Sequence, residues 1–385
     1  MAKVLIGWEL GAGGGHSSRL LSLGRILAAR GHTPLFAAQQ IGPFAAHGPT
    51  WQAPIWPRLL GPLSRRYAAA PATMGDMLAY LGLDDVEAMA AMIMAWDRII
   101  ADASPEVIVA EYAPMLQLAA RGRVPCLAWG TGFSLPPAEL ASFPSFRGEA
   151  AVPEQALLDG LNLALRRAGR GALSALPEIF AADRSLISTF SELDPYRRWR
   201  RGALSPPALS GSIPLANAEA EELFVYLNTP ANRPEGLVRG LIQARLPTRI
   251  HDPLIDVGIQ AALEAKGIRV ERDPVPFAEI AGKSRLVLSH GGLGFSSSAL
   301  LAGLPQVIVP FDQEKRLTAD VLAELGVSRT ANPENIEPGA FAGLLRSAWS
   351  DDAMRERARE IAPQFRTRMT PTAEEAAADI VEELL

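Results

Sequence analysis

The stretch Lys3–Ala38, KVLIGWELGAGGGHSSRLLSLGRILAARGHTPLFAA, decides the fold. It opens with a short apolar run at Lys3–Trp8, which leads into a glycine-rich loop at Gly11–Gly15. Leucines and isoleucines then recur at helical spacing over Ser17–Arg30, and a second apolar run follows at Pro34–Ala38. Strand, glycine loop, helix and strand in this order form a βαβ unit, whose two strands are parallel. The sequence therefore predicts an α/β fold built on a parallel sheet.

This alternation of strand and helix recurs along the rest of the chain. Further buried strands are predicted at Val107–Ala110, Pro125–Trp129, Leu186–Thr189, Leu223–Leu227, Pro247–Ile250, Ile268–Val270, Leu286–Ser289 and Gln306–Val309. The segment Gly202–Pro214 is rich in proline, serine and glycine, which is the composition of a linker. We therefore predict two doubly wound α/β domains and a C-terminal helix that packs back on the first domain. Their bounds are 1–205 for the first domain, 206–222 for the linker, 223–370 for the second domain and 371–385 for the helix.

Composition narrows the class of protein. The chain has 385 residues, of which 48% are hydrophobic and 21% charged, as expected for two globular domains rather than a disordered chain. Its net charge of −5 argues against nucleic-acid binding, which needs a basic surface. The single cysteine, Cys126, excludes an intramolecular disulfide and a zinc site built from cysteines. Without a membrane-length apolar run or a signal peptide, we expect a cytoplasmic protein.

The strongest chemical signal is the segment Ser289–Ser296, SHGGLGFS, which follows a predicted strand and opens a predicted helix. Glycines let a ligand approach the backbone closely, and the first turn of a helix presents unpaired N–H groups to an anion. The imidazole of His290 and the hydroxyl of Ser296 add side-chain donors. A tight turn with a buried histidine is the alternative interpretation. The predicted diphosphate site consists of His290, Gly291, Gly292, Gly294 and Ser296.

Asp312 and Gln313 follow the next predicted strand, Gln306–Val309. Because the carboxyl ends of parallel strands meet at one edge of a sheet, we expect this pair on the same edge as His290. A carboxylate beside a carboxamide can bind neighbouring sugar hydroxyls as acceptor and donor. The pair is therefore predicted to bind a sugar, with an ordinary loop cap as the alternative.

These segments together resemble the nucleotide-sugar-binding half of GT-B glycosyltransferases. The resemblance rests on the His-Gly-Gly loop, Ala302–Pro305 (AGLP), Pro310–Gln313 (PFDQ) and Glu324–Gly326 (ELG), and it is dense over Ile268–Gly326. The chain is similar to the UDP-glycosyltransferase superfamily, including bacterial natural-product glycosyltransferases. Its first glycine loop is also similar to that of the glycosyltransferase that makes the lipid-linked peptidoglycan precursor. The resemblance implies the GT-B fold, with two Rossmann-like domains facing each other across a cleft.

The resemblance implies a catalytic role for His16, at the Gly-His position of the first glycine loop. This histidine would be the general base that takes a proton from the acceptor, a task that suits imidazole near neutral pH. A carboxylate after a later strand orients this base in many members; here the match is Glu111, where the family more often has aspartate. Helix capping or phosphate contact is the alternative role of His16. The glycines of the loop are Gly13, Gly14 and Gly15.

In the second domain the resemblance implies the donor site. His290 and Ser296 would hold the diphosphate and neutralise the charge on the leaving group, together with Asn228. The backbone at Val275 and Pro276 would pair with the nucleotide base. The chain departs from the family pattern at Phe295, Ser298, Asn228–Thr229 and the spacing between Gln313 and Ala319. These departures leave the nucleotide and the sugar open.

Three functions fit these observations. The first is an inverting glycosyltransferase that moves a sugar from a nucleoside-diphosphate sugar to a hydroxyl or other nucleophile of an apolar small-molecule or lipid acceptor. The second is an epimerase or hydrolase of the same fold, and the third a non-catalytic nucleotide-sugar-binding protein. The presence of both His16 and Glu111 favours the first over the third. The spacing of Gly11, Gly13 and His16 breaks the GxGxxG pattern of a dehydrogenase.

The expected partners are a nucleotide sugar and the acceptor, with no cofactor and no metal ion. We expect the acceptor to lie against two variable segments, Ile41–Leu83 and Gly130–Arg170, whose aromatic side chains favour an apolar molecule. These aromatic residues are Trp51, Trp56, Phe133, Phe143 and Phe146. The basic cluster Tyr196–Arg201 indicates a solvated surface, or at most peripheral membrane contact.

Overall fold

The computed structural model describes residues 1–11, 14–59, 71–209, 211–227 and 234–385. The chain divides into two compact units. Unit 1 comprises Met1–Ser205 and Pro371–Leu385, and unit 2 comprises Pro206–Thr370. Each unit is built on a parallel sheet of six strands. Two of the predicted site residues, Gly13 and Asn228, lie outside the described residues.

In unit 1 the sheet has the strand order β3-β2-β1-β4-β5-β6. Its strands are β1 (Lys3–Trp8), β2 (Thr33–Ala38), β3 (Thr50–Gln52), β4 (Val107–Glu111), β5 (Cys126–Gly130) and β6 (Arg184–Ile187). The helices that accompany them are α1 (Gly14–Ala29), α2 (Met74–Leu81), α3 (Val86–Ala103), α4 (Pro114–Ala120) and α5 (Glu154–Arg167). Every residue of β4 and β5 is buried, as expected for a parallel sheet covered on both faces.

In unit 2 the sheet has the strand order β12-β11-β10-β7-β8-β9. Its strands are β7 (Glu222–Tyr226), β8 (Thr248–His251), β9 (Arg269–Glu271), β10 (Ser284–Ser289), β11 (Gln306–Ile308) and β12 (Ser328–Thr330). Its helices are α6 (Glu235–Ala244), α7 (Val257–Glu264), α8 (Phe277–Lys283), α9 (Leu293–Ala302), α10 (Gln313–Glu324), α11 (Pro338–Trp349) and α12 (Asp352–Arg366). The apolar face of the sheet packs mainly on α6 and α11, around Leu241, Leu288 and Phe341.

The last helix, α13 (Ala373–Leu384), belongs to unit 1 and packs on α1, β4 and β5. A capping box at Thr372 begins it, and its buried residues include Ala377 and Val381. Arg30 at the end of α1 donates to Asp379 at 2.7 Å and to Glu382 at 2.9 Å. Unit 1 is therefore completed by a segment that follows unit 2 in the sequence.

Helix starts differ most from the sequence prediction. Helix α1 begins at Gly14 rather than Ser17, so Gly14 and Gly15 form its first turn and are not part of a loop. Likewise α9 begins at Leu293, and α10 begins at Gln313, which was expected in a loop. Apolar spacing misses such starts because the first turn often lacks apolar residues and depends on caps instead.

Several elements were not predicted at all: β3, β12, α5, α8 and α11. The two strands have three residues each and lie at sheet edges. Segments this short do not form an apolar run that can be recognised in the sequence. None of the helices in the described ranges is both long and apolar enough to cross a bilayer.

Candidate active site

The carboxyl edge of the unit 1 sheet brings His16 and Glu111 into contact. His16 lies in the first turn of α1, and Glu111 is the last residue of β4 rather than a residue beyond it. The imidazole Nδ1 of His16 is 2.9 Å from both carboxylate oxygens of Glu111. Because a carboxylate accepts, Nδ1 carries the proton and donates, which leaves Nε2 free to accept one.

Two neighbours fix the orientation of the imidazole. The indole of Trp8, the last residue of β1, stacks on the His16 ring with centroids 5.2 Å apart and an angle of 14° between the planes. On the Nε2 side, a Cβ added to Gly11 would lie only 2.4 Å from that nitrogen. Gly11 also has a φ of +87°, in the left-handed region that favours glycine. A glycine at this position therefore keeps Nε2 uncovered.

Arg19 is the third member of this cluster, and the sequence analysis missed it. It lies on α1 three residues after His16, so both side chains share one face of the helix. Its guanidinium donates to Oε1 of Glu111, and its Nη2 is 3.5 Å from His16 Nδ1. Only 8% of Arg19 is exposed, and its guanidinium lies over the Trp129 ring, 5.3 Å from the centroid. The i, i+3 spacing from His16 is the one signal that could have indicated it.

Glu111 is fully buried, so its ionisation state depends on the side chains that contact it. Burial on its own would raise the pKa of Glu111. The hydrogen-bonded contact with His16 and the guanidinium charge of Arg19 outweigh burial and hold that pKa below its usual value. Glu111 is therefore a carboxylate at neutral pH.

In unit 2 the glycine loop after β10 has the backbone shape that was expected of it. Gly291 has a φ of +90°, and a Cβ there would lie 2.7 Å from the side chain of Ile308. Its N–H donates to Ser289 Oγ at 3.1 Å. Gly292 is the N-cap of α9 and supplies no side-chain cap, and nothing lies within 4 Å of a Cβ built on Gly294. The first turn of α9 therefore presents uncapped backbone N–H groups.

His290 is part of this loop and was expected to hold the diphosphate and neutralise charge on the leaving group. A Cβ on Gly292 would lie 2.8 Å from its Nε2, and its buried Nδ1 has no hydrogen-bond partner. Burial, followed by the nearby charge of Lys315, lowers the pKa of His290 to about 4, against the opposing effect of Asp312. The ring is therefore neutral at pH 7, so it can donate a hydrogen bond to a phosphate but cannot neutralise charge as an imidazolium.

Ser296 and the Asp312–Gln313 pair also differ from what was expected. Ser296 is fully buried in α9, and its hydroxyl has no hydrogen-bond partner. Asp312 is the N-cap of α10, where its carboxylate accepts from the Lys315 N–H at 3.0 Å and lies 3.2 Å from Lys315 Nζ. Gln313 is the first residue of that helix. The capping role of Asp312 is thus an observed one, and sugar binding stays a prediction.

The ring of His290 lies beside a group of stacked rings that was not predicted. Tyr226 at the end of β7 stacks on Phe295 at 4.8 Å and on His251 at 5.6 Å, and its ring is 5.7 Å from His290. His251, for which no role was predicted, is 8% exposed, and neither ring nitrogen has a hydrogen-bond partner. Phe295, a departure from the family pattern, therefore packs against Tyr226 beside the loop after β10.

The remaining predicted residues occupy varied environments. Pro276 is the N-cap of α8, and Val275 before it is half-buried against the Phe224 core. Of the aromatic residues expected to line an acceptor pocket, Trp56, Phe133 and Phe143 are instead buried within unit 1. Helices α2 and α5 lie within the two segments that were expected to be loops.

The basic cluster Tyr196–Arg201 is only partly a solvated surface. Tyr196 is fully buried, and Arg200 forms an ion pair with Asp194 while its guanidinium lies 5.7 Å from the centre of the Tyr196 ring. Trp199 remains exposed. Within the described ranges, no group of three or more His, Cys, Asp or Glu side chains is arranged to hold a metal ion.

Comparisons with known proteins agree with this architecture. Residues 261–384 match the model of the EryCIII-like C-terminal domain, described as that of erythromycin biosynthesis protein CIII-like. The NDP-glycosyltransferase YjiC of Bacillus subtilis (strain 168) is 31% identical over 109 residues, which is 28% of this chain and 27% of that protein. O-mycaminosyltylonolide 6-deoxyallosyltransferase of Streptomyces fradiae is 30% identical over 149 residues, which is 38% of this chain and 35% of that one. The chain thus spans about a quarter to a third of the length of these relatives.

The fold extends over the whole chain. The crystal structure of CalG4, the calicheamicin glycosyltransferase, superposes with a TM-score of 0.72 at 20% identity and covers 100% of this chain and 98% of its own. Two six-stranded parallel sheets with flanking helices are the GT-B fold. Residues 261–384 are thus similar to the EryCIII-like C-terminal domain and to parts of these glycosyltransferases, and the whole chain has the GT-B fold.

Proposed function

We propose that this protein is an inverting glycosyltransferase that moves a sugar from a nucleoside-diphosphate sugar to a hydroxyl of a small acceptor. The observation that carries the proposal is the contact of His16 Nδ1 with both oxygens of Glu111 at 2.9 Å. A histidine that donates through Nδ1 to a buried carboxylate has its Nε2 available as a base. A protein that only stores or carries a nucleotide sugar has no need of such a pair.

The proposed reaction is a single displacement. The acceptor oxygen attacks the anomeric carbon while its proton passes to His16 Nε2, and the bond from that carbon to the diphosphate oxygen breaks. One displacement from the opposite face inverts the anomeric configuration. Glu111 stabilises the imidazolium that forms, because it is ionised and already hydrogen-bonded to the ring.

The donor half of the proposal rests on the loop after β10. The uncapped first turn of α9 offers backbone N–H groups to the diphosphate, and neutral His290 offers one ring N–H. A helix N-terminus supplies partial positive charge, so the proposal requires no metal ion. We further assign Asp312 and Gln313 to the sugar, the backbone at Val275 and Pro276 to the base, and Asn228 to the diphosphate.

The acceptor is proposed to be an apolar small molecule. The relatives are named for calicheamicin and for O-mycaminosyltylonolide, and both names point to natural products as acceptors of those proteins. The proposal does not use Trp56, Phe133 and Phe143, because their side chains are buried. A lipid acceptor, with peripheral membrane contact through exposed Trp199, is the second class to include in a screen.

The test begins with a thermal-shift screen of nucleoside diphosphates and nucleotide sugars, because a ligand that binds only the folded chain raises its melting temperature. A donor found in this way is then incubated with panels of apolar acceptors, and the product is examined by NMR for its anomeric configuration. Acceptor-dependent transfer with inversion is the expected result. Retention of configuration would contradict the single displacement, and release of free sugar alone would indicate a hydrolase.

The donor loop is tested separately by calorimetry with the free diphosphate. His290→Ala should weaken binding by about 1.5–3 kcal/mol, the contribution of a hydrogen bond to a charged group. His47→Ala, which changes an exposed histidine of unit 1, is the matched control and should leave binding unchanged. Equal affinity for wild type and His290→Ala would remove His290 from the site.

A further inference from the structure

We propose that Arg19 is a positioning residue of the proton-accepting site, whose guanidinium serves as the counter-ion of Glu111 so that His16 stays uncharged and able to accept a proton. The proposal rests on the proposed function, in which His16 is the base. Neither the sequence pattern nor the resemblance assigns Arg19 a role. It follows from the contacts of three side chains on α1 and β4.

The need for a counter-ion comes from the burial of Glu111. None of this carboxylate is exposed, and a buried charge is stable only when it is paired and hydrogen-bonded. If His16 were its sole partner, the pair would favour either an imidazolium with a carboxylate or a neutral ring with a protonated acid. An imidazolium cannot accept a proton, and a protonated acid would not stabilise the imidazolium formed in the reaction.

Arg19 removes this conflict because a guanidinium is charged at all physiological pH values. It donates to Oε1 of Glu111, while His16 Nδ1 lies 2.9 Å from both carboxylate oxygens. Its Nη2 is 3.5 Å from His16 Nδ1, close enough for its positive charge to oppose protonation of the ring. The ionised carboxylate and the uncharged imidazole can therefore coexist.

The surroundings hold Arg19 in this position. Its guanidinium lies over the ring of Trp129, whose Nε1 donates to Ser188 Oγ at 2.7 Å. Glu374, on α13, is close enough for the charge of Arg19 to act on it: burial raises the pKa of Glu374, and Arg19 opposes that rise. Among the described residues of unit 1, the charged groups near His16 thus include Glu111 from β4 and Arg19 from α1, and Glu374 from α13 is within reach of the charge of Arg19.

The helix itself acts in the same direction. His16 is the third residue of α1, where the partial positive charge of the helix N-terminus disfavours an imidazolium. Helix and guanidinium together oppose the Glu111 carboxylate, which by itself would favour one. The glutamate found here, longer than the more common aspartate, reaches both Arg19 and His16.

The decisive measurement is an NMR titration of the His16 imidazole, which does not depend on turnover. Arg19→Gln leaves the Glu111 charge uncompensated, so the midpoint of the His16 titration should move to higher pH by about one unit. Arg19→Lys keeps a positive charge and should stay close to wild type. Arg30→Gln, which removes the exposed ion pairs between α1 and α13, is the matched control and should not move the midpoint.

Activity provides the second measurement. In Arg19→Gln the acid limb of the pH profile of kcat should move to higher pH by about one unit, with little change in the KM for the donor. A residue that only packs would lower kcat equally at all pH values. Should Arg19→Gln fail to fold, Arg19→Met keeps an apolar stem over Trp129 and answers the same question.

The two proposals can fail separately. If His16→Ala retains full turnover, His16 is not the base, yet the NMR midpoint still decides whether Arg19 controls its charge. An unchanged midpoint in Arg19→Gln and Arg19→Met would overturn the role of Arg19 while leaving His16 as base. A midpoint that shifts equally in Arg19→Lys and Arg19→Gln would also overturn it, because charge would then not be the cause.

Discussion

His16 in unit 1 and His290 in unit 2 both lie just beyond the carboxyl end of a central parallel strand, yet their surroundings are opposite. His16 contacts an ionised carboxylate, and 18% of its side chain is exposed. His290 is 9% exposed, lies near the cation Lys315, and has a pKa of about 4. The comparison shows that position on the sheet edge brings a histidine to a site, whereas its charged neighbours decide whether it can gain a proton.

The largest effect is expected from removing the histidine that can gain a proton. His16→Ala should lower turnover by about 10²–10⁴, the usual contribution of a general base, and leave donor affinity nearly intact. Steady-state kinetics with calorimetry of the donor would check both parts. The double variant with Glu111→Ala should lose little more than His16→Ala alone, because the pair acts as a unit. If the losses of turnover in the two single variants multiplied in the double variant, His16 and Glu111 would act independently. The contrast drawn between His16 and His290 would then be wrong.

The low pKa of His290 predicts that the stability of the protein depends on pH. The folded pKa is about 4, below the value of about 6.5 for an unfolded chain, so the unfolded chain takes up a proton first as pH falls. The neutral ring therefore contributes fully above pH 6.5, and its contribution of about 3 kcal/mol is lost as pH falls towards 4. The free energy of unfolding, measured with urea between pH 4 and 8, should change less steeply with pH in His290→Gln than in wild type. If both proteins showed the same dependence on pH, His290 would not have the lowered pKa.

Gly11 offers a smaller test of how closely the His16 site is built. Gly11→Ala places a methyl group against His16 Nε2 and requires a φ of +87° from a residue with a Cβ. The strain should cost about 1–2 kcal/mol in the free energy of unfolding, and the contact should also lower turnover. Gly31→Ala is a matched control, since Gly31 has a φ of +88° but nothing within 4 Å of a Cβ. Equal losses of turnover in both variants would show that strain alone is responsible.

The smallest effect is expected at Asp312. Loss of its cap on α10 should cost about 1 kcal/mol of stability, as for other N-caps. If it also binds the sugar, Asp312→Ala should weaken binding of the intact nucleotide sugar and spare that of the free diphosphate. Asp256→Ala removes the N-cap of α7 in the same unit and controls for the loss of a cap. A loss of affinity shared by both ligands would assign Asp312 to capping only.

The fold could be predicted because parallel strands are continuous apolar runs between helices. Such runs can be recognised in the sequence without knowing how the side chains pack. Lys3–Trp8 and Pro114–Ala120 were predicted at their exact bounds. Arg19 could not be predicted in the same way, because an arginine in a helix is usually exposed. The burial of Arg19 depends on contacts with residues that are distant in the sequence, such as the ring of Trp129.

The charge state of His290 was equally out of reach of the sequence. Its imidazole was expected to hold the diphosphate and neutralise charge on the leaving group, but burial and Lys315 lower its pKa to about 4, so the ring is neutral at pH 7. The predicted starts of helices were wrong for a related reason. Asp312 was identified as a polar residue after a strand, but the carboxylate caps α10, and such a contact depends on the exact residue at which the helix begins.

The discontinuity of unit 1 bears on how the chain is made. Helix α13 packs on α1, β4 and β5, yet the whole of Pro206–Thr370 is synthesised before it. At about 5–20 residues per second, a ribosome needs on the order of ten seconds for that interval. During this time the nascent unit 1 lacks Glu374 and leaves the α13-binding faces of α1 and β5 open to water and to chaperones. The order of synthesis therefore makes the side of unit 1 next to Arg19 complete only after unit 2 has been made.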